Sequence, residues 1–297
     1  MRAPVLSSPL RASVRALALS LALAAAVPVG AQSGADAPPQ AQSGEHATGR
    51  GREGVDVGRN SAFAKLVSAD EIEATAVKQY NAMLRSAAEQ KALAPPDHAQ
   101  LVRLRRIAQR IIPFVNEWNP RARQWKWEIN LFGSKQINAF CMPGGKIGFY
   151  TGILDQLQLT DDEVAQVMGH EIAHALREHA RARMGKGAAT NIGASIVSQV
   201  LGLGDLGRTV ASYGVELISL KFSRDDETEA DLVGLELAAR AGYDPRAGIS
   251  LWKKMQAANK GAPPQWLSTH PAGNTRIADI EKALPLVLPI YERAPKG

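Results

Sequence analysis

Hydrophobic residues recur at helical spacing in the middle of the chain. After Thr160, apolar side chains return every three or four positions, at Val164, Val167, Met168, Ile172 and Leu176. Side chains with this spacing share one face of an α-helix. Thr160 and Glu163 have the spacing of a capping box. The pattern therefore predicts a helix that begins after Thr160 and turns one face to the core.

The residues before this helix predict two more helices and then a small sheet. Ser68 and Glu71 could form a capping box for the first helix, and an amphipathic helix follows Pro95-Pro96 and runs to about Trp118. The pattern then changes to short apolar segments typical of strands, with a Pro-Gly-Gly turn before the last of them. The predicted strands cover residues 124–131, 136–142 and 146–150. The expected fold class is α+β.

The amino terminus predicts a secretory signal over residues 1–31. Three arginines precede an apolar run that extends from Ala16 to Val29, and small residues follow it before Gln32. The run is short for a membrane span, so a membrane anchor is the less favoured alternative. Residues 32–67 are rich in Gly, Ala, Gln, Arg and Pro with little apolar periodicity, which predicts a flexible linker before a domain over 68–297.

Composition and charge argue against a nucleic-acid-binding protein and against stabilisation by disulfides. The nominal net charge of +6 falls to +3 if the three arginines of the signal leave, which is too mild to indicate a nucleic-acid partner. Arginines 103, 105, 106 and 110 cluster, but a solvated helix face is the favoured interpretation. Cys141 is the only cysteine, so no internal disulfide can form. Stability must come from a hydrophobic core, and the chain is long enough to bury one.

The segment His170-Glu171-Ile172-Ala173-His174 predicts the catalytic centre of a zinc peptidase. Residues four apart on a helix leave the same face one turn apart, so the two imidazoles could bind one zinc ion. Glu171, beside them, could take a proton from the attacking water. A chance match, or a pair of surface or core histidines, is the alternative interpretation. The predicted core-facing helix argues against it.

A third metal ligand must come from elsewhere. On a continuous helix His179 would lie on roughly the opposite side from His170, so it is predicted to be a packing or hydrogen-bonding residue. A second charged helix start, SRDDETEAD at residues 223–231, offers Glu227 and Asp231 on one face. One could bind the metal while the other accepts a hydrogen bond from a ligand histidine. Spacing alone does not choose between this role and a solvated helix start.

Four motifs in this order resemble one zinc metallopeptidase family, which contains the CAAX prenyl endopeptidases, bacterial HtpX and the periplasmic β-barrel assembly-enhancing proteases. The resemblance spans roughly residues 68–285. It rests on NAFCMPGGK at 138–146, HEIAH at 170–174, SRDDETEAD at 223–231, and Thr269-His270-Pro271 with Arg276-Ile277. Cys141 stands where relatives commonly carry another small residue. No repeat domain follows the peptidase region, so partner-recruiting functions of longer relatives are not carried over.

The resemblance implies roles for particular residues. His170, His174 and Glu227 would hold one zinc ion, with Asp231 as the supporting carboxylate. Glu171 would be the general base. His270 and Arg276 would face the active site, where they could stabilise the oxyanion, while His270 could instead take the fourth position on zinc at rest. A structural histidine before Pro271 is the alternative.

The resemblance also implies a fold and a function. The fold would be a mainly helical, zincin-like (gluzincin) peptidase with a small sheet whose edge strand flanks the zinc helix. Asn138, Ala139 and Phe140 on that edge could pair with an extended substrate. The expected function is a zinc metalloendopeptidase of the bacterial periplasm that cleaves unfolded or misassembled envelope proteins. A chaperone-like module that cuts little is the alternative, although pure binding would not need Glu171.

Residues 187–204 carry no charge and raise the question of membrane contact. Several polar and glycine residues make them a poor membrane span, so a mobile helical flap near the cleft is favoured over contact with a membrane surface. The expected partners are therefore protein or peptide substrates, with peripheral contact to a membrane surface as an open alternative.

Overall fold

The computed structural model describes residues 53–200, 217–259, 264–271 and 275–296, with residues 191–200 described by their backbone alone. The predicted signal over 1–31 lies outside these ranges, as does most of the predicted linker. Within the described ranges, no helix combines the length and hydropathy needed to cross a membrane.

Nine α-helices and three strands are found in the described part of the chain. The helices are α1 (Ala69–Glu89), α2 (Ala99–Ile111), α3 (Thr151–Leu157), α4 (Asp161–Leu176), α5 (His179–Val200), α6 (Arg224–Arg240), α7 (Ala247–Ala258), α8 (Gln265–Thr269) and α9 (Arg276–Arg293). The strands are β1 (Glu128–Phe132), β2 (Ala139–Met142) and β3 (Lys146–Tyr150). This mainly helical architecture with a small sheet confirms the predicted α+β class.

The sheet has the order β1-β3-β2, which leaves β2 at an edge. Strand β1 runs parallel to β3, with Glu128 opposite Lys146, and β2 runs antiparallel to β3, with Phe140 opposite Gly148. The β2–β3 hairpin turns at Gly144 and Gly145, both of which have positive φ angles that favour glycine. The predicted hairpin is thus present, with the predicted edge strand beside the cleft.

The predicted end of the second helix and the predicted start of the first strand are wrong for local reasons. Helix α2 ends at Ile111, and a 3₁₀ helix takes over because Pro113 has no N–H to continue the α-helical hydrogen bonding. Strand β1 starts at Glu128 instead of 124, because Asn119 caps a 3₁₀ helix over Pro120–Gln124. Both errors arise because a proline and a capping asparagine act locally, and hydrophobic periodicity does not reveal such effects.

Helix α4 lies in the core. The predicted capping box is present, with the Thr160 hydroxyl accepting from the Glu163 N–H and the Glu163 carboxylate accepting from the Thr160 N–H. Every residue from Glu163 to Leu176 is buried. The predicted core-facing stripe is therefore only part of a helix that is covered on all sides.

Two glycines allow α4 to lie directly against α6. A Cβ on Gly169 would come within 2.6 Å of the Gly234 carbonyl oxygen, and a Cβ on Gly234 within 2.5 Å of the His170 nitrogen. Any larger residue at either position would push the helices apart. This contact sets the distance between the histidines of α4 and the carboxylates of α6.

Part of the predicted linker packs on the domain. Val55 is buried, its N–H donates to the Glu236 carboxylate of α6, and a 3₁₀ helix forms over Ala62–Leu66. The expectation of a flexible tether over all of 32–67 is wrong for residues 53–67. Their few apolar side chains show no periodicity, but individual hydrogen bonds hold the segment in place.

Candidate active site

Four buried side chains from three parts of the chain converge on one point. Helix α4 provides His170 and His174, α6 provides Glu227, and the residue after α8 is His270. Their potential ligand atoms all lie within 4.8 Å of one another. The structure therefore brings together the three predicted metal ligands and adds His270 as a fourth donor.

The distances between these donors suit a zinc ion. Nε2 of His170 lies 3.0 Å from Nε2 of His174 and 3.3 Å from Nδ1 of His270. Glu227 oxygens lie 3.6 Å from His170 Nε2 and 3.5 Å from His174 Nε2. Ligands at the usual zinc distances on a tetrahedron are roughly 3.3 Å apart. Three imidazoles and a carboxylate also form a donor set that zinc accepts.

Asp231 contacts the candidate ligand His170 on the side of the ring that faces away from the cluster. Its Oδ1 lies 3.0 Å from Nδ1 of His170, so the carboxylate accepts that proton and leaves Nε2 free to face the cluster. Burial alone would raise the pKa of Asp231, but the Arg276 charge and hydrogen bonds from His170 and Arg276 lower it to about 2. Asp231 is therefore ionised at neutral pH, as this role requires.

Glu227 is likewise kept ionised. Burial would raise its pKa, but the charge and hydrogen bond of His270 and the charges of His170 and Arg276 lower it. Burial among other positive groups holds the pKa of His174 well below its usual value, which favours the neutral imidazole that binds metals. The protonation states of Glu227 and His174 thus suit a metal at neutral pH.

Arg276 lies behind the ligands and does not face the cleft. Its guanidinium donates to both oxygens of Asp231 and to Glu227 Oε2, each at 2.6 Å, and it packs on the ring of Trp252. These contacts hold the two carboxylates in place. The geometry favours this positioning role over the predicted contact with the oxyanion, because the guanidinium nitrogens are directed at the carboxylates.

His270 reaches the cluster by way of the connection between α8 and α9. Helix α9 begins at Arg276, and residues 272–274 lie outside the described ranges. Nδ1 of His270 is 3.0 Å from Glu227 Oε1, and its ring stacks on Trp266. Burial would lower its pKa, but the Glu171 and Glu227 carboxylates raise it.

Glu171 lies beside the cluster with its carboxylate held in place. Its Oε1 accepts a 2.6 Å hydrogen bond from the Trp266 indole and lies 3.6 Å from Nε2 of His270. The Trp266 backbone N–H also donates to the Ile137 carbonyl just before β2. Trp266 thus connects the predicted base to the edge strand. No motif in the sequence marks this tryptophan, although a buried indole needs a hydrogen-bond acceptor.

The cluster opens into a cleft of about 520 Å³. One wall is the edge strand β2, including Ala139, Phe140 and Cys141, and Phe222 stacks on the His174 ring at 4.0 Å between centroids. Asn138 is not among the residues that line the cleft. Its carbonyl accepts from the Tyr150 N–H, so the alternation of an antiparallel pair turns the backbone of Ala139 and Cys141 toward the open edge. Of the three residues predicted to pair with a substrate, only Ala139 turns its backbone to the open edge, because the backbone groups of Asn138 and Phe140 face β3.

His179 is not on the zinc helix, so the premise of its prediction is wrong. Helix α4 ends at Leu176, Glu178 takes a left-handed conformation with φ of 58°, and α5 begins at His179. This break brings Nδ1 of His179 to 2.9 Å from Nδ1 of His174. The predicted role of a hydrogen-bonding residue agrees with this contact.

The arginine cluster makes contacts within the protein. Arg103 and Arg106 pair with Asp161 at the start of α4, and Arg110 donates to the Ala241 carbonyl. Residues 187–200 of the uncharged segment lie in α5, but the side chains after 190 and residues 201–204 lie outside what is described. A flap or membrane contact there stays a prediction.

Comparison with known proteins shows what the chain is similar to. The profile of peptidase family M48 matches residues 99–284. Mitochondrial metalloendopeptidase OMA1 of Arabidopsis thaliana is 36% identical over 173 residues, covering 58% of this chain and 35% of that protein. OMA1 of Saccharomyces cerevisiae is 30% identical over 219 residues, covering 69% and 62%. The β-barrel assembly-enhancing protease of Escherichia coli is 32% identical over 161 residues, covering 50% and 32%.

These matches confirm some predictions and overturn others. They confirm the zinc metallopeptidase class and, with the four-residue cluster, a site for one zinc ion. A special similarity to the β-barrel assembly-enhancing proteases is not supported. The predicted periplasmic location is wrong, because relatives matched over longer stretches are mitochondrial proteins. The chain spans only about a third to three fifths of the length of the OMA1 relatives.

Proposed function

Because the chain belongs to peptidase family M48, we propose that it is a zinc-dependent endopeptidase in which Glu171 is the general base. The single observation that carries this proposal is the buried cluster of His170, His174, Glu227 and His270, with the Glu171 carboxylate beside it at the end of a cleft. A module that only binds polypeptides would need neither the metal donors nor a positioned carboxylate. The geometry therefore favours cleavage over the chaperone-like alternative.

Each residue has a distinct task in this proposal. Zinc, when bound, supplies a Lewis acid that polarises the scissile carbonyl and lowers the pKa of water to about 7. Glu171 takes the proton of the attacking water and returns it to the leaving amine. Trp266 orients the Glu171 carboxylate, and Asp231 orients His170. Arg276 fixes Asp231 and Glu227 relative to each other.

The substrate class that we propose is an extended, unfolded polypeptide. The backbone groups of Ala139 and Cys141 face the open edge of β2, where an extended chain could add as a further strand once the Ala139 N–H gives up its 3.0 Å hydrogen bond to Asn138 Oδ1. This mode of binding uses backbone hydrogen bonds that any sequence offers, and a folded domain rarely presents such a strand. A peptide bound in this way would run along the wall of the cleft that contains Glu171 and His174.

The proposal is tested with unfolded casein and a folded reference protein. The zinc-loaded protein should cleave casein, a chelator should stop cleavage, and added zinc should restore it, while the folded protein is cut slowly. Casein that is bound but left intact by zinc-loaded protein would instead support the chaperone-like alternative. Cleavage that persists without metal would contradict the proposed mechanism.

We expect His270→Ala to distinguish two roles for this residue. Nδ1 of His270 points into the ligand set, so the geometry supports a resting fourth ligand. Its loss should then leave peptidase activity equal or higher and weaken zinc retention. If His270 mainly stabilises the oxyanion, turnover should fall by about 10²–10³-fold with zinc retention unchanged. Wild-type activity together with wild-type zinc affinity would show that His270 is only structural.

A further inference from the structure

The two histidines of α4 are supported in different ways. Asp231 binds Nδ1 of His170 directly, whereas Nδ1 of His174 meets a second imidazole, that of His179. Nε2 of His179 in turn lies 3.3 Å from Oε2 of Glu229. A chain of three groups therefore runs from the Glu229 carboxylate to the predicted ligand His174.

The hydrogen positions in this chain follow from the chemistry of its ends. An ionised carboxylate only accepts, so Nε2 of His179 carries the hydrogen that faces Glu229. In a neutral imidazole the other nitrogen is then an acceptor, and Nδ1 of His179 receives the hydrogen on Nδ1 of His174. Nε2 of His174 is left with its lone pair facing the cluster. With the opposite arrangement Nε2 of His174 would carry a hydrogen and could not bind a metal.

The carboxylate end of the chain is itself anchored. Arg177 donates from Nε to Oε2 of Glu229 at 2.8 Å, and its other nitrogens donate to the carbonyls of Gly58 and Val57. The guanidinium is 4% exposed, so these contacts hold it in one position. Glu229 therefore presents the same oxygen to Arg177 and His179. The segment before α1 contributes to this anchor.

The break between α4 and α5 is what makes the contact between the two histidines. On a continuous helix, residues five apart lie about 140° apart around the axis and cannot face each other. The left-handed Glu178 turns α5 back, so that His179 contacts the residue five positions before it. His179 is 3% exposed and lies within 6.2 Å of the Phe222 ring, which also stacks on His174.

We propose that His179 and Glu229 are positioning residues that fix the orientation and the tautomer of His174 for zinc binding. The inference rests on the proposed metal site. Neither residue touches the reacting atoms. Their effect passes through His174, since an acceptor for its Nδ1–H favours the tautomer and the ring orientation that bind zinc through Nε2. Loss of such an outer contact to a metal ligand commonly costs about 10–100-fold in metal affinity or activity.

The test compares two replacements of His179 in the full chain. His179→Leu fills the space without a polar atom and should weaken zinc binding by about 10–100-fold in competition with a chelator. His179→Gln keeps a carbonyl acceptor for His174 and an amide donor for Glu229, so it should bind zinc far more tightly than His179→Leu. With saturating zinc, His179→Leu should show reduced kcat and a nearly unchanged KM. His98→Asn, which removes an exposed imidazole but keeps a helix-cap acceptor, should behave as wild type.

A second pair of variants keeps the test decisive if His179→Leu fails to fold. Glu229→Ala should weaken zinc binding, whereas Asp225→Ala, an exposed carboxylate in the first turn of the same helix, should not. The double variant Glu229→Ala/His179→Gln should lose no more zinc affinity than Glu229→Ala alone. The hydrogen-bonded path from Glu229 to His174 is already interrupted in the single variant. Chemical unfolding of the metal-free proteins separates a loss of positioning from a loss of stability.

The outcomes separate this inference from the proposed function. Zinc binding as tight as wild type in both His179→Leu and Glu229→Ala would overturn the positioning role while the metal site stands. His179→Gln binding zinc as weakly as His179→Leu would reduce His179 to a packing residue. A wild-type protein that does not bind zinc would instead overturn the proposed function.

Discussion

Glu171→Gln is expected to lose most peptide cleavage while its zinc content stays at the wild-type level. Glutamine has nearly the same shape as glutamate, and its carbonyl oxygen can still accept the 2.6 Å hydrogen bond from Trp266. It cannot take a proton from the attacking water at neutral pH. Because general acid–base catalysis contributes about 10²–10⁴-fold, kcat should fall by that factor with little change in KM.

The measurement combines steady-state kinetics on an unfolded substrate with metal analysis of the same preparation. Glu178→Gln is the matched control, because Glu178 is another carboxylate that lines the cleft but lies outside the four-residue cluster. It should cleave at close to the wild-type rate. Turnover near wild type in Glu171→Gln would remove Glu171 from the mechanism, and loss of zinc would make it part of the metal site instead.

Glu227→Ala is expected to lose both zinc and activity. The variant removes the only carboxylate of the cluster and leaves the Nη1 of Arg276 and the Nδ1 of His270 without their 2.6 Å and 3.0 Å contacts to Glu227. The loss of zinc affinity should exceed the roughly 10–100-fold that an outer contact costs. Breaking a buried ion pair also costs about 3–5 kcal/mol, so the variant should unfold at lower denaturant concentration.

Asp225→Ala and Glu227→Gln separate these effects. Asp225 is exposed in the same turn of α6, and its removal should change neither zinc content nor stability. Glu227→Gln keeps an oxygen donor without the charge and should retain more zinc than Glu227→Ala. Full zinc occupancy in Glu227→Ala would refute the assignment of Glu227 as the third ligand.

The sequence alone predicted some metal donors of the proposed site and left others undecided. His170 and His174 belong to one helix, so their spacing predicts that they lie together whatever the rest of the fold does. Glu227 and His270 lie far along the chain, and the residues themselves left open whether Glu227 or Asp231 faces the metal. That choice was taken from the resemblance to a family. In the structure Glu227 Oε1 is 3.5 Å from His174 Nε2, whereas Asp231 contacts the outer nitrogen of His170.

The errors of the sequence analysis have a shared physical cause. His179 was treated as part of the zinc helix, because periodicity does not reveal that Glu178 adopts a positive φ angle. Residues 53–67 were assigned to a linker, since hydrogen bonds such as that of Val55 with Glu236 leave no hydrophobic pattern. Asn138 and Phe140 were placed on the substrate-pairing edge and Cys141 was not, because only the pairing register decides which backbone groups face the open edge.

Local patterns determined the zinc helix, its capping box, the hairpin and the pairing of two imidazoles with a neighbouring carboxylate. These depend on interactions within a few residues, which the sequence displays directly. Only the tertiary structure decided where the site residues outside α4 lie. The approach of α4 and α6 at Gly169 and Gly234 sets the distance of Glu227 from the histidines, and the packing of Arg276 and Trp266 orients the acidic groups. Such contacts join residues that are tens of positions apart, so no periodicity along the chain encodes them.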